Sequence, residues 1–153
     1  MQVLAKIKIK KFTLPSFLDA SVPLAQAAKK IAVQAQINIR QRRRPDFSTQ
    51  IKLKKSTIDK KRRAGMPRPT TPLFGTGQMH GGIRPKKLGK NHYGIGVRNV
   101  GHPSRTDVAQ YHHNEGVGPQ KTKRPFIGLN PKLITWINAR FERWFVQQGK
   151  KRN

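Results

Sequence analysis

The sequence predicts an α+β fold, in which a small and mostly antiparallel sheet packs against a long N-terminal helix and a C-terminal amphipathic helix. Residues 2–12 and 93–97 alternate apolar residues with lysine or glycine, which is the period of a half-buried strand. Residues 23–43 and 131–149 repeat apolar residues every three or four positions, which is the period of an amphipathic helix. We find no internal repeat. We therefore assign residues 1–149 to a single structural domain, followed by a basic tail at residues 150–153.

The N-terminal part begins with the strand at residues 2–12, whose lysines face outward, and continues into a loop that contains two prolines. A long helix follows from about residue 23 to residue 43, and Ser21 is predicted as its N-cap. Pro45 stops the helix after a run of arginines. The apolar face of this helix consists of Leu24, Ala28, Ile31, Ala35 and Ile39.

The middle of the chain, residues 44–77, is predicted to be an irregular basic loop. Within it we expect a short helix that begins at Ser56 or Thr57 and ends before Gly65. The segment after this loop is short and contains Pro85, which predicts a truncated or edge strand before the strand at residues 93–97.

The C-terminal part is predicted to contain a short helix at residues 107–115, a strand at residues 124–129 and a final helix. Asp107 is the expected N-cap of the short helix, and Asn130 is the expected cap of the final helix. The bulky residues of the final helix are assigned to the core or to a subunit interface, because exposed aromatic side chains favour interfaces. They are Trp136, Phe141, Trp144 and Phe145.

Composition excludes several classes of protein. The chain has no cysteine, which excludes disulfide scaffolds, thiolate metal sites and cysteine nucleophiles. It has no apolar run of the roughly 18 residues that a membrane helix needs, and its N-terminus does not resemble a secretory signal. We therefore expect a soluble cytoplasmic protein without a membrane partner.

The net charge of +27, from 33 Lys and Arg against 6 Asp and Glu, indicates a polyanion or an acidic protein as partner. The cations are dense between residues 40 and 63, where they could contact phosphates or dock on acidic neighbours. No aromatic stacking platform was identified among them, so charge binding is expected rather than base readout. These candidate contact residues are Arg40, Arg42, Arg43, Arg44, Lys52, Lys54, Lys55, Lys60, Lys61, Arg62 and Arg63.

No constellation of residues predicts catalysis. The five histidines lack the supporting ligands of a zinc site, and His112 and His113 are adjacent instead of four residues apart. The serines do not form a nucleophile elbow, and the glycines between residues 75 and 82 do not form a phosphate-binding loop. We predict a non-enzyme with no catalytic residue, no metal and no cofactor.

Four segments, read in order, resemble one protein family. They are residues 56–65 (STIDKKRRAG), 72–79 (PLFGTGQM), 108–116 (VAQYHHNEG) and 124–129 (RPFIGL). Together they are similar to the virion morphogenesis, or tail-completion, family of long-tailed bacteriophages, and the similarity covers roughly residues 55–145. The residues that carry the family motifs with a structural role are Pro72, Leu73, Thr76, Gly77, Tyr111, Gly116, Arg124, Pro125, Phe126 and Gly128.

The resemblance implies a structural virion protein of the head–tail neck. Such a protein forms a homo-oligomeric ring, of six subunits by this resemblance, that completes the head-proximal end of the tail and joins it to the capsid connector. Its partners would be tail tube or terminator proteins, connector proteins and, where the basic stretch faces the channel, genomic DNA. It would assemble in the host cytoplasm and reside in the virion.

The main alternative is a ribosomal protein that binds rRNA through its basic surface. Small size, a pI near 11.8 and many glycine and proline residues all suit that class. A sequence-specific DNA-binding regulator is a third class, but the sequence has no recognisable helix-turn-helix pair.

Overall fold

A computed structural model describes residues 19–97, 109, 111–116 and 121–150, without the side chains of Tyr111 and Glu115. The elements are α1 (Ser21–Arg40), α2 (Lys55–Arg63), α3 (Gln78–Gly82), β1 (Ile83–Gly89), β2 (His92–Val97), a π-helical turn (Tyr111–Glu115) and α4 (Pro131–Lys150). The fold is α+β, with a two-stranded antiparallel sheet packed against an N-terminal and a C-terminal helix, as the sequence predicts. The predicted strand at residues 2–12 and the predicted cap Asp107 lie outside the described residues.

Helix α1 buries one face because alanine and isoleucine recur along it at helical spacing. Ala28, Ile31, Ala35 and Ile39 are all buried in the core. The predicted N-cap was wrong, since Ser21 is the first helical residue and Ala20 occupies the cap position. The backbone N–H of Ser21 instead donates to the carboxylate of Asp19 at 2.9 Å.

The same helix ends at Arg40, about three residues earlier than predicted. Gln41 still donates its backbone N–H to Ile37, but Arg42 takes a positive φ of 55° and turns the chain away from the helix axis. The arginines after residue 40 therefore belong to a turn instead of the last helical turn.

The sheet is a hairpin of β1 and β2, in which Ile83 lies opposite Val97 and Pro85 lies opposite Ile95. In the part of the chain that the structure describes it has only these two strands, so the predicted edge position of Pro85 is confirmed. Ile83 and Ile95 are buried and belong to the same core as α1. The turn between the strands also contacts α1, because the Asn91 side chain accepts a hydrogen bond from the Ala20 N–H at 2.8 Å.

Helix α4 completes the core. Its predicted cap is confirmed, because the side-chain Oδ1 of Asn130 accepts a hydrogen bond from the Leu133 N–H at 2.9 Å. Leu133, Ile137 and Trp144 are buried along one face of the helix. The packing of α4 on α1 includes a hydrogen bond from the Arg140 guanidinium to the Gln26 side chain.

The four aromatic residues of α4 have different environments. Trp144 is buried, and the ring of Phe145 meets it edge-on at 4.9 Å between centroids. Phe141 is half-buried against the core. Trp136 is 38% exposed, and the ammonium of Lys30 lies 5.6 Å from its ring centroid. The core assignment therefore holds for Trp144 and Phe141, whereas Trp136 lies at the surface.

The predicted strand at residues 124–129 was wrong. This segment joins no strand in the described structure, and side chains from elsewhere in the fold bind its backbone. Asn38 donates to the Phe126 carbonyl at 3.2 Å, and Gln50 donates to the Pro125 carbonyl at 2.5 Å. Side-chain donors thus take the place of a neighbouring strand and satisfy polar groups that burial would otherwise leave unpaired.

Candidate functional site

The first segment of the family resemblance contacts the residue that precedes the second segment. The ammonium of Lys61, on α2, donates to the backbone carbonyl of Thr71 at 2.8 Å, at the start of the second segment. Burial lowers the pKa of Lys61. Gly65 ends α2 with a φ of 62°, as predicted, and this turn directs the chain back towards the second segment. A partly buried cation therefore links residues 56–65 to Thr71, where the chain enters residues 72–79.

The third and fourth segments form a second pair. The Arg124 N–H donates to the His112 carbonyl at 2.6 Å, and the Phe126 N–H donates to His113 Nδ1 at 3.3 Å. The rings of His113 and Phe126 also meet edge-on, with 5.2 Å between centroids. Because His113 accepts this bond at Nδ1, its ring is neutral in this arrangement, with its proton on Nε2.

The electrostatics of the second pair favour neutral histidines. Burial lowers the pKa of both His112 and His113, and the nearby Arg124 guanidinium lowers the pKa of His112 further. Burial also lowers the pKa of Arg124 itself. His113 therefore acts as a packed hydrogen-bonding group of the fold, whereas the buried Nδ1 of His112 has no hydrogen-bond partner among the described residues.

Helix α1 joins the two pairs through its last turn. The Arg40 guanidinium donates from Nε to His80 Nε2 at 3.1 Å, immediately after the second segment. The Asn38 amide, which is buried, donates to Phe126 in the fourth segment. One helical turn therefore binds the fourth segment directly and also binds the residue that follows the second segment.

The motif glycines have identifiable steric roles. Gly77 takes a φ of 86° just before α3, and Gly116 takes a φ of 83° after the π-helical turn. A Cβ on Gly116 would overlap the backbone carbonyl of Lys121. Gly128 has no positive φ, but a Cβ there would lie 2.7 Å from Cβ of Pro45. The last contact joins the fourth segment to the arginine-rich turn after α1.

The other motif residues also have structural positions. Pro72 is buried, and Leu73 packs against the core with a φ of 62°. Thr76 is exposed, Pro125 is half-buried, and Phe126 is only 1% exposed. The side chain of Tyr111 lies outside the described atoms.

The arginine-rich turn after α1 is a short hairpin, which we call the arginine hairpin and define as residues 40–50. Arg43 and Thr49 form an isolated antiparallel bridge. Next to it, the Arg44 N–H donates to the Ser48 carbonyl at 2.7 Å, and the Gln50 N–H donates to the Arg42 carbonyl at 2.7 Å. The Gln50 side chain fixes the base of the hairpin, since its amide donates to the Arg43 carbonyl as well as to Pro125.

Phe47 at the tip of the arginine hairpin is a residue that the sequence analysis missed. It lies among the cations, with a φ of 68° and 39% of its surface exposed. The sequence signal that could have located it is the pair Pro45 and Asp46 directly before it, because proline followed by aspartate is typical of a β-turn. An exposed aromatic side chain therefore does lie among these cations, although the sequence analysis expected no aromatic stacking platform there.

The eleven candidate cations are not equally available to a partner. All are exposed except Arg44 and Lys61, which are half-buried. Arg40 is partly engaged by His80, and Arg62 lies 3.6 Å from the carboxylate of Asp59 in an exposed pair that adds little stability. The cations with exposed side chains on the arginine hairpin and α2 are Arg40, Arg42, Arg43, Lys55, Lys60, Arg62 and Arg63.

The described residues contain no group of three or more histidine or acidic side chains placed to hold a metal ion. None of the helices in this part of the chain has the length and apolarity to span a bilayer.

Comparisons with protein-family models, with curated proteins and with solved structures found no match to this chain.

Proposed function

We propose that this chain is a structural protein of the head–tail neck of a long-tailed bacteriophage. In this role it forms a homo-oligomeric ring, of six subunits, that completes the head-proximal end of the tail and joins it to the capsid connector. The observation that carries the proposal is the contact between the third and fourth resembling segments, together with the bond from Asn38, in the last turn of α1, to the fourth. The residues that flank the second segment, Thr71 and His80, bind Lys61 of the first segment and Arg40 of the same turn. The four resembling segments therefore lie in one connected part of the fold.

A ring needs a head-to-tail contact in which two different surfaces of each subunit meet. Residues 65–77 form a surface suited to this role, because their shape is fixed without a helix or a strand. Arg68 and Leu73 both take positive φ values, the Arg68 guanidinium lies 5.4 Å from the Phe74 ring centroid, and Lys61 binds the Thr71 carbonyl. Under this proposal, the loop projects a defined surface towards the next subunit.

A non-enzymatic role agrees with what the histidines do. His113 is occupied by the Phe126 N–H and His80 by the Arg40 guanidinium, and burial lowers the pKa of both. These are the contacts of residues that hold a fold together. Under this proposal the function lies in surfaces, in the virion and during assembly in the host cytoplasm.

The experiment is a density gradient of native lysate from phage-producing cells, with this chain quantified in each fraction by mass spectrometry. We expect it to co-migrate with mature virions or free tails. A Phe126→Ala chain supplied in place of the native one is expected to be lost from those fractions, because it removes a side chain buried where the segments meet. An exposed substitution on α4, Lys132→Ala, is the matched control and should leave the distribution unchanged.

The ribosomal alternative makes the opposite prediction for the same gradient. It is favoured by the net charge of +27 and by the arginine hairpin, which both suit rRNA. Co-migration with ribosomal subunits, together with absence from particles and tails, would refute the neck proposal.

A further inference from the structure

The tip of the arginine hairpin has a backbone conformation that its sequence does not favour. The Phe47 N–H donates to the Arg44 carbonyl at 3.0 Å and closes a four-residue turn with Pro45 at its second position. In hairpin loops of this kind the fourth residue of the turn is left-handed and is usually glycine. Here that position holds Phe47, a bulky side chain for which a φ of 68° is strained. Such strain in an exposed aromatic residue points to a function.

Packing in the described core does not explain the strained conformation of Phe47. Its side chain is 39% exposed and does not belong to the apolar cluster that joins α1, β1, β2 and α4. The arginine hairpin nevertheless holds it in a defined place. Gln50 ties the base to Pro125, and Pro45 packs closely against Gly128. The aromatic ring is thus presented on a fixed support.

The charges around Phe47 are positive. Arg42 and Arg43 are exposed on the first arm of the arginine hairpin, and their planar guanidinium groups suit bidentate contact with phosphate. The only carboxylate within residues 40–50, Asp46, accepts hydrogen bonds from the Ser48 backbone at 2.9 Å and from its hydroxyl at 2.6 Å. The Ser48 hydroxyl and backbone N–H lower the pKa of Asp46, so this group stays ionised and engaged within the turn.

We propose that the arginine hairpin binds nucleic acid, with Arg42 and Arg43 on the phosphates and the ring of Phe47 stacked on an unpaired base. Stacking accepts any base, since every base has a π face, and it adds to the charge attraction of the flanking arginines. A nucleic acid is favoured over an acidic protein because the excess of 33 cations over 6 acids is spread along the chain and suits an extended polyanion. This activity goes beyond the neck proposal and does not depend on it.

The test measures binding of the full chain to a labelled single strand of about 20 nucleotides and to a duplex of equal length, by fluorescence anisotropy at several salt concentrations. Phe47→Gly is the central variant, because glycine fits the left-handed position and keeps the turn. We expect it to weaken single-strand binding about tenfold and duplex binding less than about twofold. Unchanged circular dichroism and thermal unfolding, or higher thermal stability, would show that the variant folds.

The arginines are tested in parallel. Arg42→Ala combined with Arg43→Ala should weaken binding to both nucleic acids and reduce the slope of log affinity against log salt by about 1.4 on the single strand. Arg143→Ala, which removes an exposed cation from α4, is the matched control for charge and should leave the slope nearly unchanged. Ile51→Ala removes an exposed apolar side chain next to the arginine hairpin and should not distinguish the two nucleic acids.

Three results would overturn the proposal. The first is wild-type single-strand affinity in Phe47→Gly, and the second is an equal loss on single strand and duplex. The third is competition by polyglutamate as effective as that of the single strand at equal charge, which would identify a docking surface for acidic protein. None of these results bears on the gradient experiment, so the two proposals fail independently.

Discussion

The substitution Gly128→Ala tests whether the arginine hairpin and the fourth segment pack as one unit. The new Cβ would lie 2.7 Å from Cβ and 2.9 Å from Cγ of Pro45, whereas ordinary contact between such carbons begins near 3.4 Å. One of the two segments must therefore move by more than half an ångström. Neither moves freely, because Gln50 ties the two segments together and the proline ring is rigid.

Overpacking of a close contact costs about 1–3 kcal/mol. In a chain of this length that corresponds to a fall in Tm of roughly 2–12 °C. The assay is urea unfolding followed by circular dichroism, with thermal unfolding as a second measurement. Gly149→Ala, where an added Cβ meets no atom within 4 Å, is the matched control and should not lower stability.

A double-mutant cycle with Pro45→Gly isolates the cause. Removing the proline ring should itself cost some stability, because it frees the unfolded chain. In that background, however, the loss caused by Gly128→Ala should shrink to below about 0.5 kcal/mol, because the two substitutions share one contact. An undiminished loss in the Pro45→Gly background would refute the packing argument and would place the cost elsewhere in the fourth segment.

Three further predictions concern the same part of the fold. Phe126→Ala, at a side chain only 1% exposed, should cost about 3–5 kcal/mol in urea unfolding, and a loss below about 1 kcal/mol would contradict its place in the core. Gly116→Ala should lower the free energy of unfolding by at least about 3 kcal/mol, because backbone strain and overlap with a backbone carbonyl add. Gly65→Ala introduces the same strain into open space and should cost about 1 kcal/mol. Equal losses in the two variants would argue against the overlap. The unfolding free energy should fall as the pH drops below about 6.5, because the unfolded chain then binds protons that His112 and His113 resist in the fold. Above pH 7.5 both histidines are neutral in the folded and the unfolded chain, so this pH dependence should vanish. The double variant His112→Asn, His113→Asn should show a flatter profile of unfolding free energy between pH 5 and 7.

Periodicity in the sequence was enough to predict the two long helices and strand β2 of the described fold. In α1, Ala28 and Ile31 recur with the helical period and are buried. In α4, Asn130 and Leu133 form the predicted cap through a contact of only three residues in sequence. Patterns of this kind are local, because the interactions that produce them act within one helix or strand.

The strand predicted for the fourth segment was wrong because the groups that bind its backbone are distant in sequence. Residues 124–129 have an apolar pattern suited to a strand, but their backbone bonds go to Asn38, Gln50 and His113. Side-chain donors from three separate regions leave no periodic trace. For the same reason the sequence analysis could not separate Arg40 from the other candidate contact cations, whereas in the fold it donates a hydrogen bond to His80.

The tip of the arginine hairpin was missed for a different reason. Its turn residues, Pro45 and Asp46, are a recognisable local signal. Propensity alone would place glycine after them, so Phe47 at that position argues against the turn. Sequence rules fail in this way where a site has been shaped for something other than stability.

The position of α1 at the front of the described fold has a consequence for biosynthesis. Its apolar face is completed by β1 and β2 and by Phe126, whose carbonyl lies 88 residues beyond Asn38 in the chain. At roughly 5–20 residues per second, a ribosome needs about 4–18 seconds to synthesise that interval. During this time the nascent helix carries Ile31 and Ile39 without their full set of partners, next to a cluster of arginines. The newborn chain therefore offers chaperones an apolar stripe beside a strongly cationic segment until its last third has emerged.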